Sequence, residues 1–253
     1  MYKSRKYALE TIDYFSMLLP IRPTVELAEI AADLLTDGHI AVRRCYNSNK
    51  YAYVGFFSDD YPELERFNLR IKKLFGKEGS IKEWGYRTNG RSRGCIVIDA
   101  RLARLLECCG IPAGDKITKG YTVPQWIFEG NRPVKGAFLR RSFTCEGSID
   151  MEKNGRWEIR YSMHKQKELL ANARDYLETL RELLREFGIE SHNITMNKRY
   201  KREKDGKTVV GLMIRIRDKQ SLINYATLIG FDSEKKKQRL TKMLNQVRAG
   251  IND

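Results

Sequence analysis

The sequence has little of what builds metal-cluster or exported proteins. Its three histidines are scattered, and its five cysteines (Cys45, Cys95, Cys108, Cys109 and Cys145) include no Cys-x-x-Cys pair. Without that spacing nothing gathers the thiolates and imidazoles of a tetrahedral zinc site, which argues against structural zinc. An odd number of thiols without an export signal points to reduced cysteines in a cytosol. Apolar runs are short as well: none approaches the ~20 residues that cross a bilayer. The N-terminus is basic over Met1 to Lys6, but Glu10 and Asp13 break up the stretch from Tyr7 to Pro20, so it makes a poor signal peptide. A cytoplasmic location and no membrane partner follow as expectations, with a nucleoid or organelle as the alternative setting.

Acidic residues are also in deficit. Against 47 lysines and arginines stand 32 aspartates and glutamates, leaving a net charge of +15. Counterion release favours such a surplus beside a polyanion. A general solubility surplus or an anionic membrane surface fits the same number. With 42% hydrophobic and 31% charged residues the 253-residue chain reads as globular, large enough for one big domain or two small ones.

What is present is an internal repeat. LAEIAADLLTDG (27–38) and GAFLRRSFTCEG (136–147) are both helical stretches that end in an acid and a glycine. Each is followed by alternating segments that read as paired strands, residues 39–58 and 148–165, with a polar turn between. Charged amphipathic helices come next, 61–76 and 167–188. Two more strands follow in each half, around Asn89-Gly90 and Asp205-Gly206. Short helices close the halves near 101–109 and 220–229. The predicted architecture is α+β: two pseudo-symmetric αββαββα halves, each with an antiparallel sheet, packed through the two motif helices. The division is an N-terminal extension (1–24), a first half (25–109), a Pro- and Gly-bearing linker (110–132) anchored by Trp126 and Ile127, and a second half (133–253). A basic helix from Asp232 or Ser233 to about Val247 ends the chain.

The motif helices carry the candidate chemistry. Ala28, Ala31 and Ala32 share one face and allow close approach of a second helix; Ala137 and Arg141 are the counterparts in the repeat. Packing like helices together sets Asp37 beside Glu146. A carboxylate at a helix C-terminus opposes the macrodipole, and two together repel. Divalent cations between them would relieve both conflicts and bind a phosphate. Two acids that merely precede C-cap glycines are the plain alternative.

On these residues the chain resembles the LAGLIDADG homing endonuclease family, in its single-chain, two-motif, archaeal and intein-like branch. IAADLLTDG (30–38), LRRSFTCEG (139–147), the linker segments IPAGDK (111–116) and VPQWI (123–127), and the closing IGFDSEKKKQRL (229–240) carry the resemblance, which covers roughly residues 25 to 245. It implies saddle-shaped sheets that straddle double-stranded DNA and a monomer with an internal pseudo-two-fold axis. It also implies two or three divalent ions, Mg²⁺ with Mn²⁺ or Ca²⁺ able to stand in, held by Asp37, Glu146, Gly38 and Gly147, and hydrolysis of both strands, as in intron homing. Lys207 and Arg91 are the candidate basic assistants. His39, Arg43 or Arg44, Arg93, Glu158, Arg160, Arg199, Lys201, Arg215 and Arg217 are candidate DNA contacts; alternation turns about half of them away. Arg141 departs from the small residue that the motif favours, and should splay the interface or snorkel out of it. An RNA-binding intron maturase and a catalytically retired DNA-binding regulator remain alternatives on the same scaffold. Tyr86 and Tyr200 read as core, Cys108-Cys109 as buried helix, and His164 and His192 carry no signal.

Overall fold

The computed structural model describes residues 5–18, 20, 22–44, 50–83 and 93–250, apart from the side chains of 5–8, 11, 17, 18, 43, 44, 50 and 51. Helix α1 (Arg5–Leu18) comes first, an element that the reading of 1–24 as an extension did not include. Its Tyr14 is buried, with Lys77 Nζ and the Arg101 guanidinium 5.2 and 5.3 Å from the ring centre. These contacts tie α1 to the first half.

The first half runs α2 (Val25–Leu35), β1 (His39–Arg44), β2 (Lys50–Ser58), α3 (Tyr61–Phe75), β3 (Ser80–Glu83), β4 (Arg93–Val97) and α4 (Ala100–Cys108). A connecting segment holds the short helix α5 (Gln125–Phe128). The second half repeats the order: α6 (Arg132–Glu146), β5 (Gly147–Met151), β6 (Trp157–Gln166), α7 (Leu170–Arg185), β7 (Thr195–Lys201), β8 (Thr208–Ile216) and α8 (Lys219–Asn224). Helix α9 (Glu234–Arg248) closes the chain. Both sheets are antiparallel with matching strand order, β1-β2-β4-β3 and β5-β6-β8-β7. The αββαββα expectation therefore holds for each half.

Local chemistry sets the two motif helices. Thr24 caps α2 by accepting from the Leu27 amide at 3.2 Å, and Asn131 caps α6 by accepting from the Val134 amide at 3.1 Å. Both helices end at a glycine for a steric reason. A Cβ on Gly38 would meet the Asp33 carbonyl oxygen at 2.8 Å, and one on Gly147 would collide with that of Phe143. Only a residue without Cβ lets the chain turn so tightly into the following strand.

Helices α2 and α6 pack together at the centre of the molecule. Ala28, Ala31 and Ala32 are fully buried and Ala137 nearly so. One apolar cluster spans both halves, drawing in the core faces of both sheets. The connecting segment belongs to it: Ile111, Val123 and Ile127 are buried there, so residues 110–132 are more than the linker expected. Trp126 donates to the Cys109 carbonyl at 2.9 Å.

Arg141 corrects a second expectation. It neither splays the helices nor reaches for solvent; its side chain is completely buried. Asp33 of α2, the Glu63 carboxylate of α3 and Asp232 accept from its guanidinium. A buried charge survives only when paired and hydrogen-bonded, and the first half supplies two of the partners.

Candidate functional site

Asp37 and Glu146 line one cavity of about 500 Å³ between the two sheets, with Gly38, His39, Lys116 and Tyr121 among its walls. Asp37 sits exposed to solvent at its rim, and Glu146 is half-buried. Burial and the nearby Asp37 push the Glu146 carboxyl up to about 7. Asp37 is raised too, by the surrounding protein first, with Lys116 and Lys236 acting against the shift. Two carboxylates on adjacent helix ends thus share one electrostatic environment.

Each acid has a lysine beside it, and the two lysines occupy equivalent places. Lys116 Nζ donates to the carbonyls of Leu34 at 3.0 Å, Gly38 at 2.7 Å, and Thr36. Lys236 Nζ donates to the carbonyls of Phe143 at 3.5 Å, Gly147 at 2.6 Å, and Thr144. Each ammonium therefore satisfies the unpaired carbonyls at the C-terminus of a motif helix and sits at the negative end of its dipole. Burial lowers Lys116 to about 8, while Glu146 and Asp37 pull it back up. Lys236 is lowered by burial in the same way.

Neither lysine was among the candidates read from the sequence. A signal for them existed: each stands six residues after the glycine that closes its half (116 − 110 and 236 − 230), and both glycines have positive φ. Lys116 rides on a 3₁₀ turn, Lys116–Thr118. Lys165 holds that turn from below. It is almost fully buried, donates to the carbonyls of Lys116 and Lys119, and lies 3.6 Å from the centre of the Tyr121 ring.

The other candidates divide. Lys207 lies exposed in the β7–β8 turn, where its carbonyl accepts from the Arg202 amide, and the charges acting on the acids are Lys116 and Lys236 instead. Arg91, Tyr86 and the Asn89-Gly90 turn fall outside the described residues. Arg43 and Arg44 lie in β1, with their side chains outside that description. His39 lines the cavity, its ring 6.0 Å from that of Tyr53.

Strand register sorts the sheet residues by face. Glu158, Arg160, Arg215 and Arg217 alternate with core residues and lie on the open face. Arg93 shares its face with core Cys95 and reaches over the Tyr61 ring of α3 at 5.8 Å, away from the open side. Arg199 and Lys201 pair with Val210 and Thr208, on the helix side. A register shift between Met196 and Arg199 moves them there; without it they would face the other way. Tyr200 and His164 line the cavity, their rings 6.0 Å apart, so neither the core role read for Tyr200 nor the silence of His164 holds. Cys108 is exposed, not buried.

Among the described residues no three His, Cys, Asp or Glu side chains are placed to hold a metal ion by themselves. A cation here would rest on the Asp37 and Glu146 carboxylates and on oxygens of a bound phosphate. The donor chemistry fits: hard oxygens, repelling each other and raised in pKa, are what a divalent cation stabilises. The carbonyls of Gly38 and Gly147, expected as ligands, instead accept from Lys116 and Lys236 respectively and anchor the two lysines.

Known proteins are similar to this chain in sequence and in fold. A family model described as a LAGLIDADG-like domain matches residues 133–230. Replication factor C small subunit of Methanocaldococcus jannaschii is 24% identical over 212 residues, 82% of this chain but 11% of that protein. The tRNA-splicing ligase RtcB of Pyrococcus abyssi is 38% identical over 135 residues, 51% of this chain and 14% of its own length. RtcB of Methanopyrus kandleri is 31% identical over 189 residues, 69% and 18% respectively. The chain therefore spans less than a fifth of each of these relatives. In fold it is similar to the homing endonuclease I-DmoI. A complex of I-DmoI with DNA and Ca superposes with a TM-score of 0.54 at 12% identity, covering 84% of this chain and 97% of that one. A mesophilic variant gives 0.52 at 15%, covering 81% and 92%. Residues 133–230 are thus a LAGLIDADG-like domain, and the first half repeats their order of helices and strands around the paired motif helices.

Proposed function

We propose that this protein is a site-specific endonuclease that hydrolyses both strands of double-stranded DNA with divalent metal ions. One observation carries the reading: Asp37 and Glu146, from two halves of the chain, line a single cavity with a lysine at each helix end. Asp37 and Glu146 would hold the cation, which when bound polarises the phosphate to be cut and lowers the pKa of an attacking water.

The rest falls to the chain's own groups. Lys116 and Lys236, fixed by carbonyls, present positive charge where a phosphate gains negative charge, at no reorganisation cost. The two sheets, with the net charge of +15 behind them, hold the duplex backbone. The relatives named above carry two unrelated names, Replication factor C small subunit and tRNA-splicing ligase RtcB, and each shares only a stretch with this chain. That pattern suits a mobile insert of the LAGLIDADG type, with intron or intein homing as the setting, while the hard oxygen donors of Asp37 and Glu146 suit Mg²⁺ as the working ion.

Incubation with genomic DNA and Mg²⁺ tests the reading. Discrete double-strand fragments are expected from the native sequence and none from Asp37→Asn or Glu146→Gln, with duplex binding retained in both. Tight binding without cutting would favour a regulator. Preferential binding of structured RNA would favour a maturase.

A further inference from the structure

The two sheets present opposite chemistry at matching positions beside the acids. Register defines the match. The residue after each motif glycine, His39 or Ser148, pairs with Gly55 or Arg160. These pair in turn with Ile96 or Arg215. One row further out Ala41 faces Tyr53, where the second sheet sets Asp150 against Glu158.

In the first sheet these positions, His39 apart, carry no charge. Ala41, Tyr53 and Ile96 form a buried cluster of their own on the open face, with Phe57 packed against it. In the second sheet they form an arginine–carboxylate network. Glu158, 4% exposed, accepts from Arg217 Nε and Nη2 at 3.0 and 2.8 Å. It also pairs with Arg160 Nε at 3.1 Å and lies 3.7 Å from Arg215 Nε. Asp150 holds Arg160 Nη2 at 2.7 Å, and Glu152 holds Arg217. A hollow of about 520 Å³ opens over Asp150, Glu158, Arg160 and Arg215.

Arg160 and Arg215 are direct cross-strand neighbours, an arrangement that repels unless a counter-charge lies beneath. Glu158 supplies that charge, and holds the guanidinium planes of Arg160 and Arg217 before any ligand arrives, while Arg215 at 3.7 Å makes no hydrogen bond to it. About a third of each arginine side chain stays exposed (34%, 30% and 32% for Arg160, Arg215 and Arg217). An arginine ordered in advance loses less freedom on binding and suits the O6 and N7 acceptors of guanine in the major groove. At these matching positions alanine, glycine, isoleucine and tyrosine offer no guanidinium; they suit the thymine methyl.

We propose that the two half-sites are read by different chemistry. The one under the second sheet is specified by guanines through Arg160, Arg215 and Arg217, with Glu158 as their positioning residue. The one under the first sheet is read, next to the cut, by apolar contact with thymine methyls. This rests on the nuclease reading, in that both sheets must face duplex DNA.

Selection from a random duplex library by the full chain without divalent cation, followed by sequencing, tests it. Sites with guanines enriched in one half only are expected. Arg215→Ala should lose about tenfold in discrimination at one of those guanines and leave the other half unchanged. Glu158→Gln should broaden the guanine preference while the protein still melts cooperatively, a readout that a purely structural role would not move. Guanines enriched equally in both halves would overturn the inference. So would variants that weaken all sequences alike, the signature of phosphate contacts. Failure to retain any duplex would overturn the nuclease reading together with this inference, and is distinguishable because no sequences would be recovered.

Discussion

Arg141 of one motif helix donates to Asp33 of the other through Nη2 at 2.6 Å and Nε at 2.9 Å, with both side chains fully buried. The family's motif favours small residues at this seam, yet here a cation and an anion meet. Arg70 pairs with Asp33 from the other side, and Glu29 lies 3.4 Å from Arg70. The seam is an ion network enclosed in an apolar core.

Breaking one member should therefore cost more than removing the pair. Arg141→Met leaves Asp33 and Glu63 short of a partner and should destabilise the fold by about 3–5 kcal/mol, the usual range for an orphaned buried charge. Adding Asp33→Leu should return part of that loss. Urea unfolding of both single variants and the double variant measures the coupling; additive losses would contradict a shared network.

The raised acid gives a pH dependence with a definite sign. Glu146 titrates near 7 in the folded protein against a reference of 4.5. Between those values the native state holds a proton that the unfolded state has released, so stability falls as pH rises. The contribution is fully present below 4.5 and lost through 7. Glu146→Gln should therefore stabilise the metal-free protein at pH 8, by at most about 3 kcal/mol, and make little difference at pH 4.5. Denaturant melts at the two pH values check this.

The lysines should act on chemistry more than on affinity. Lys116→Met and Lys236→Met should each slow cutting by about a hundredfold or more and change duplex affinity only a few-fold. Single-turnover rates with an end label on each strand would show which bond each lysine serves.

Lys165 supports one of those lysines at a distance. Lys165→Met should speed hydrogen exchange over residues 116–119 and slow cutting without loss of the folded state. Its ammonium is pushed down to about 7 by burial, with Lys116 adding to the shift. The unfolded chain therefore binds the extra proton above that pH, and stability from this group rises between pH 7 and the ordinary lysine value. Hydrogen exchange by mass spectrometry and melts at pH 7 and 9 test the two halves of this prediction.

The repeat made most of the fold legible. Helix–strand–strand periods recur on either side of the connecting segment, and the acid–glycine endings locate the motif helices without coordinates. Asp37 and Glu146 could be named because both copies carry an acid at one position. Lys116 and Lys236 could not, because one arrives on a 3₁₀ turn and the other on the first turn of α9, and the role of each depends on three carbonyls that no periodicity marks. Arg141 misled for a related reason. A lone cation on a helix face reads as a misfit until Asp33, 108 positions away (141 − 33), is seen opposite it. Arg199 and Lys201 missed the open face through a single register shift, which alternation cannot foresee.

On the proposed reading Asp37 and Glu146 act as one cation-binding pair. Carboxyl-carbon NMR of Glu146 across pH measures this directly. The account predicts a titration near 7 in the metal-free protein, moving down toward ordinary glutamate values in Asp37→Asn and falling further below 7 when Mg²⁺ saturates the native sequence. A Glu146 carboxyl that titrates at its ordinary value and ignores both the substitution and the metal would contradict it.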